Sequence, residues 1–339
     1  MKICCTRAVW EHSGSRIRSI VPDADFAILE PDARFTTLDG GAAEVTGLDH
    51  VFLSEDLYRA TRETVAASVR AATSGVDWVH SSSAGIDHPM FAAMLESGAT
   101  LTHAPSQHSR PMAEYVLGQM LRHAKHMSAH AEAQRDHAWR PVDSEELTGT
   151  TVGIVGYGGI GAAVGKLGRA FEMRVVATKR NNVEDPNLDE WLAPDRLPDL
   201  LAQSDYVVIS VPLTDETRGL IDAPQLALMK PSALLINVAR GGIVVEHALI
   251  DALRAGRLAG AVLDVAEQEP LPPDSPLWDI PNLVITPHDS GDSPLGFTRT
   301  VDGWLHNLTR YVRGEPLEGI ATSTGLSEDS ARRRELGQP

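Results

Sequence analysis

Short β-branched apolar runs, spaced for strand–helix–strand units rather than hairpins, set the rhythm of the chain. In its middle they fall at 151–155, 174–178, 206–211, 233–238, 260–265 and 283–286. Most are apolar on successive positions instead of alternating, the pattern of parallel strands covered by helices on both faces. Between them lie helix patterns, among them 162–171 and 246–255, the latter closed by Gly256. Six strands in series make a complete doubly wound α/β sheet.

The first hundred residues repeat the rhythm more weakly. Strands are expected at 2–6, 26–30, 50–54, 77–81 and 99–102, with helices at 59–72 and 89–97. This reads as a second, smaller α/β domain. One long amphipathic helix, 111–126, is placed to bridge the two. No fixed-period repeat or low-complexity block interrupts the pattern. Residues 326–339, with the triplet Arg332-Arg333-Arg334, lack apolar periodicity and are expected to be a mobile tail.

Composition narrows the classes. At 339 residues the chain has the length of two domains. It carries 46 acidic against 30 basic side chains, a formal charge of −16, which disfavours nucleic acid and anionic membranes as partners. No run of apolar residues reaches membrane-spanning length, and the start Met1-Lys2-Ile3-Cys4-Cys5-Thr6 has no long apolar signal region. Cys4 and Cys5, the only cysteines, are adjacent, a poor arrangement for a structural disulfide or a metal site. The expectation is a reduced, cytoplasmic, metal-free protein.

The strongest local signal is Gly156-Tyr157-Gly158-Gly159-Ile160-Gly161, which fits G-x-G-x-x-G. A strand pattern leads into it and a helix pattern leads out, the context that separates a dinucleotide turn from a chance match. Gly156 permits the tight turn, Gly158 lets the backbone approach a pyrophosphate, and Gly161 allows close helix–strand packing. An NAD site usually places a carboxylate at the end of the next strand. Here that stretch is Ala177-Thr178-Lys179-Arg180-Asn181. Lys179 and Arg180 suit a 2′-phosphate, with Thr178 as a further donor, so NADP(H) is expected to be preferred and NAD(H) possible.

Three polar residues follow late strands: Arg240 after Ile236-Asn237-Val238-Ala239, Glu269 after Leu263-Asp264-Val265, and His288 after Ile285-Thr286-Pro287. Ligands of open parallel sheets bind beyond those strand ends. Taken together with Ser83-Ala84-Gly85-Ile86-Asp87, Pro212-Leu213-Thr214 with Thr217, and Gly314-Glu315-Pro316-Leu317, the chain from 78 to 316 resembles the D-isomer-specific 2-hydroxyacid dehydrogenase family.

The resemblance implies a Rossmann dinucleotide-binding domain, 109–289, inserted into a flavodoxin-like substrate domain made of 1–108 and 290–325. It implies hydride transfer between NAD(P)(H) and a small 2-oxo or D-2-hydroxy acid, glyoxylate- or hydroxypyruvate-like. Arg240 is expected to bind the substrate carboxylate and polarise its carbonyl, His288 to be the acid/base, and Glu269 to orient it. Backbone amides of Ala84 and Gly85 are expected to hold the substrate carboxylate. Ile160, Pro212, Thr217, Val238, Ala239, Arg240, Asp264 and His288 are expected to line the cofactor cleft, with Asp264 near the carboxamide. A homodimer is implied as well. The departures are Ala266, Val245-Glu246-His247, and His103 where the family often has Asn. Trp139 matches a frequent family aromatic and is expected to pack in the core. The alternative on the same fold is a dinucleotide-sensing, corepressor-like binding protein.

Overall fold

The apolar runs form the strands of two separate sheets. The computed structural model describes residues 1–54, 56–57, 69–70, 72–83, 85–86, 89–104 and 107–321. The chain divides into one unit of Met1–His108 with Ser293–Pro339 and another of Ser109–Asp292. Most of the helix expected at 59–72 lies outside the described residues, as do Ala84, Asp87 and the tail at 326–339.

In the first unit the strands are β1 (Lys2–Thr6), β2 (Asp25–Leu29), β3 (Phe35–Thr36), β4 (His50–Leu53), β5 (Trp78–Ser81) and β6 (Thr100–His103). They are ordered β3-β2-β1-β4-β5-β6, with β3 antiparallel on one edge and the others parallel. Removing β3 leaves the flavodoxin-type order. Helices α1 (Arg7–Ile20) and α2 (Pro89–Glu96) belong to this unit. Thr6 caps α1, its hydroxyl accepting from the Val9 amide.

The second unit opens with α3 (Ser109–Ala124) and α4 (Met127–Arg135). Its strands are β7 (Thr151–Val155), β8 (Arg174–Thr178), β9 (Glu190–Leu192), β10 (Tyr206–Ile209), β11 (Leu234–Asn237), β12 (Gly260–Leu263) and β13 (Leu283–Ile285). Its helices are α5 (Gly159–Ala170), α6 (Leu197–Gln203), α7 (Ala223–Leu226) and α8 (Glu246–Arg254). All seven strands are parallel in the order β13-β12-β11-β10-β7-β8-β9, the Rossmann order with one strand added. Val207 and Ile209 face one core with Leu249 and Leu253, while Tyr206 and Val208 face the other with Val116 and Met120. Two buried faces explain why these strands show no alternation.

The chain then returns to the first unit through α9 (Pro294–Val312), capped by Ser293, whose hydroxyl accepts from the Gly296 amide. Its Val301, Trp304, Leu305 and Leu308 are buried with Ile3, Phe26 and Trp78. β3 and β9, two and three residues long, were too short for periodicity to reveal. In the second unit four of the expected strands run past the hydrogen-bonded ladder: 206–211, 233–238, 260–265 and 283–286 each end earlier. Val238 and Val265 are nevertheless 2% and 3% exposed, so burial continues beyond the ladder and lengthened the apolar run. Trp139 overturns the expectation of core packing. It is 99% exposed, in a non-helical stretch after α4, and belongs to none of the buried hydrophobic clusters. Among the described residues no helix is long and apolar enough to cross a membrane.

Candidate active site

The glycine turn follows β7 directly. Gly156 has φ +100°, and a Cβ there would lie 2.6 Å from the Val211 side chain and 2.9 Å from its backbone nitrogen. A Cβ on Gly161 would come within 2.3 Å of the Gly156 carbonyl oxygen, so neither position accepts a side chain. At Gly158 nothing lies within 4 Å of such an atom, leaving the approach open. Gly158 is also the N-cap of α5 and offers no side-chain cap, so the first-turn amides face outward with the helix dipole behind them. This cradle fits a pyrophosphate. Gly159 is exposed and Ile160 half-buried at the helix start.

At the end of β8, Thr178 is buried, and its carbonyl accepts from the amides of Gly156 and Tyr157. Lys179 and Arg180 are exposed. The Arg180 guanidinium donates to Glu216 at 2.6 Å. The loop after β10 is fastened by Thr217, whose hydroxyl donates to the Pro212 carbonyl and accepts from the Thr214 amide.

The Arg240 loop is held from inside. Asn237, fully buried, accepts from the Ala239 amide and donates to the Arg240 carbonyl. Val238 and Ala239 are buried beside it. Arg240 itself donates to the Ala239 carbonyl at 2.7 Å. The next residue, Gly241, admits no side chain, since a Cβ would sit 1.9 Å from the Ala266 carbonyl carbon. That near-contact brings the Arg240 loop against the loop carrying Glu269.

Glu269 and His288 form an ion pair. Nδ1 of His288 and Oε2 of Glu269 are 2.8 Å apart, and Oε1 accepts from the Ala266 amide at 3.1 Å. The Glu269 hydrogen bond raises the His288 pKa above the ordinary histidine value, against desolvation and the nearby Arg240 charge. Burial pushes the Glu269 carboxyl up, but the His288 bond and charge, the Ala266 amide and Arg240 outweigh it and hold it below the usual range. His288 has φ +58°, a left-handed conformation uncommon for a residue with a side chain.

Asp264 explains how that conformation is held. Its backbone carbonyl accepts from the His288 amide at 2.8 Å. Its carboxylate, 1% exposed, accepts from the Thr286 hydroxyl, the Asp289 and Ser290 amides and the Ser290 hydroxyl. The Tyr115 hydroxyl, from α3, lies 2.7 Å from that of Thr286. The carboxylate that the resemblance assigns to the carboxamide region is thus taken up by the turn carrying His288. Of the residues expected in the first unit, Gly85 is half-buried after β5, and Ala84 lies outside the described residues. His103 ends β6, its amide bonded to the Gly319 carbonyl.

The family model for the NAD binding domain of D-isomer specific 2-hydroxyacid dehydrogenases matches residues 117–290. The chain belongs to this family. A glyoxylate reductase of Thermofilum pendens is 35% identical over 264 residues, 75% of this chain and 77% of that one. A glyoxylate/hydroxypyruvate reductase B of Pectobacterium carotovorum is 41% identical over 212 residues, 61% of this chain and 66% of its own. The crystal structure of a D-isomer specific 2-hydroxyacid dehydrogenase from Xanthobacter autotrophicus, in complex with NADPH and MES, superposes with a TM-score of 0.76 at 28% identity, covering 95% of this chain and 97% of that one. The protein is accordingly a D-2-hydroxyacid dehydrogenase with a nicotinamide cofactor.

Several residues of this dehydrogenase escaped sequence reasoning. Ser290 and Tyr115 carried no signal, because the partner of the first, Asp264, is 26 residues away and the partner of the second, Thr286, is 171 residues away. Asn237 and Thr286 lay within recognised motifs but had no role until the loops were folded. Glu216 was missed because its partner, Arg180, is 36 residues away.

Proposed function

We propose that the protein reduces a small 2-oxo acid, glyoxylate- or hydroxypyruvate-like, to its D-2-hydroxy acid, with NADPH preferred over NADH. The observation that carries the chemistry is the 2.8 Å pair of His288 and Glu269. It keeps an imidazolium available above the usual histidine range, as a general acid near neutral pH requires. Arg240 binds the substrate carboxylate and draws electron density from the adjacent carbonyl. His288 donates its proton to the carbonyl oxygen, and in the oxidative direction, when neutral, takes the hydroxyl proton. Glu269 holds the ring and stabilises its charge. The nicotinamide, when bound, supplies or accepts the hydride at the substrate C2.

Gly156, Gly158, Gly159, Ile160 and Gly161 hold the pyrophosphate in this reading, and Lys179 and Arg180 meet the 2′-phosphate. Thr178, being buried, contributes its backbone to the turn more than its hydroxyl. Pro212, Thr217, Val238, Ala239 and Asp264 shape the remaining wall, and Ala84 and Gly85 take the substrate carboxylate. The first unit is the substrate domain and the second the cofactor domain. A second copy of the chain is the proposed partner, supported by the full exposure of Trp139. The two buried free thiols, Cys4 and Cys5, suit a reducing compartment such as the cytoplasm. A dinucleotide-sensing binding protein has no use for a carboxylate-paired histidine on a strained turn, which favours catalysis.

A panel of 2-oxo acids, followed by the absorbance of reduced nicotinamide with NADPH and NADH in parallel, tests the reading. Turnover of C2 and C3 oxo acids with NADPH is expected. Because the His288 pKa is raised, reductive kcat/KM should hold through pH 6.5 and fall only as pH rises through that higher value. No turnover of any 2-oxo acid, or equal preference for NADH, would count against the corresponding part of the proposal.

A further inference from the structure

The loop after β8 and the loop after β10 are each anchored in the second unit, and an ion pair joins them. The Lys179 amide donates to the Leu192 carbonyl, and the Trp191 indole donates to the Lys179 carbonyl. On the other side, Thr217 fastens its own loop through Pro212 and Thr214. Between these two anchored segments, the Arg180 Nη2 meets Glu216 Oε2 at 2.6 Å, with side chains 73% and 76% exposed. A pair so exposed adds little to stability. Its consequence is local: one edge of the guanidinium is already held by an anion.

We infer that Glu216 is a cofactor-specificity residue, a built-in competitor that holds Arg180 until a 2′-phosphate displaces it. This rests on the reading that Lys179 and Arg180 meet the adenosine ribose. A phosphate dianion takes an arginine best through a two-pronged fork, and both forks of the guanidinium use the Nη2 that Glu216 engages. The 2′-hydroxyl of NADH makes no such demand and leaves the Arg180–Glu216 pair intact. Glu216 therefore weakens NADPH binding selectively and narrows the gap between the two cofactors. Lys179, a compact charge beside the pair, attracts the phosphate without resolving this competition.

Equilibrium dissociation constants for NADPH and NADH, read from nicotinamide fluorescence without substrate, test it on the full chain. Glu216→Gln should tighten NADPH about three- to fivefold and leave NADH unchanged. The gain should shrink as salt is raised. Asp215→Asn removes the same charge from the adjacent exposed residue and should not reproduce it. In an Arg180→Gln background, which should itself weaken NADPH, Glu216→Gln should have no further effect. The inference is overturned if NADPH affinity is unchanged or weaker in Glu216→Gln. An equal gain for NADH, or from Asp215→Asn, overturns it too, since charge removal in general would then be the cause. A wild-type chain that binds neither dinucleotide would defeat the underlying cofactor reading. One whose NADPH affinity survives Arg180→Gln would defeat the role given to Arg180.

Discussion

The two units use histidine in opposite ways. In the first, the His50 ring stacks on Trp78 at 3.7 Å between centroids and lies near-parallel to Trp304. Its Nε2 accepts from the Trp304 indole, so Nδ1 carries the proton and donates to the Trp78 carbonyl at 2.9 Å. Nearby His80 bonds Thr102, which also accepts from the Trp78 indole. Burial pushes the pKa of both histidines down to about 3. In the second unit His288 keeps 45% of its side chain exposed, faces a carboxylate and is shifted upward. Water and neighbouring charge, not residue type, decide whether an imidazole serves as a polar core group or as an acid.

Removing the proposed acid breaks the comparison most sharply. His288→Ala should lower kcat/KM about 10²- to 10⁴-fold while the thermal midpoint stays close to wild type. Near-normal turnover would show that the histidine of the second unit is as structural as those of the first. Next in size is Gly241→Ala. Its Cβ would collide with the Ala266 backbone, so the Arg240 and Glu269 loops must separate, at about 1–3 kcal/mol of stability. Denaturant melts and the pH–rate profile together should show both a loss of stability and a His288 pKa moving back toward its ordinary value. A variant with unchanged stability and profile would mean the near-contact holds nothing in place.

A third test sharpens the contrast through pH rather than substitution. His50 and His80 bind protons more tightly when unfolded, so their contribution is complete above about pH 6.5 and is lost as pH falls toward 3. The slope is up to about 1.4 kcal/mol per pH unit for each. His288 has the opposite sign, its contribution being full below about pH 6.5 and lost as pH rises through its raised value. Hydrogen-exchange protection factors between pH 7 and 4 should therefore fall in β4 and β5 before they fall in β10 and β11. The reverse order would contradict the assigned buried, neutral state of the first unit's histidines.

Much of this was legible in the chain itself. The spacing of apolar runs predicted the strands of both sheets except β3 and β9. The fingerprint at Gly156–Gly161 and the motifs around Arg240, Glu269 and His288 marked the loops that carry the candidate chemistry. Periodicity succeeds here because parallel strands buried on both faces must be apolar throughout, a constraint written in local sequence. Trp139 shows where that logic fails, because an aromatic residue in a polar stretch has no local mark of whether it is covered.

What only the tertiary structure decided is the use of each polar group. Glu269 and His288 are 19 residues apart, Asp264 and Ser290 are 26, and Arg180 and Glu216 are 36. Hydrogen bonds act over about 3 Å, so no spacing in the sequence could pair them. Folding did so by aligning the carboxyl ends of parallel strands at one edge of the sheet. The sequence by itself determined which elements form and which loops are polar. The packing of those loops determined that Asp264 holds a turn, that Glu269 charges an imidazole, and that Glu216 occupies an arginine.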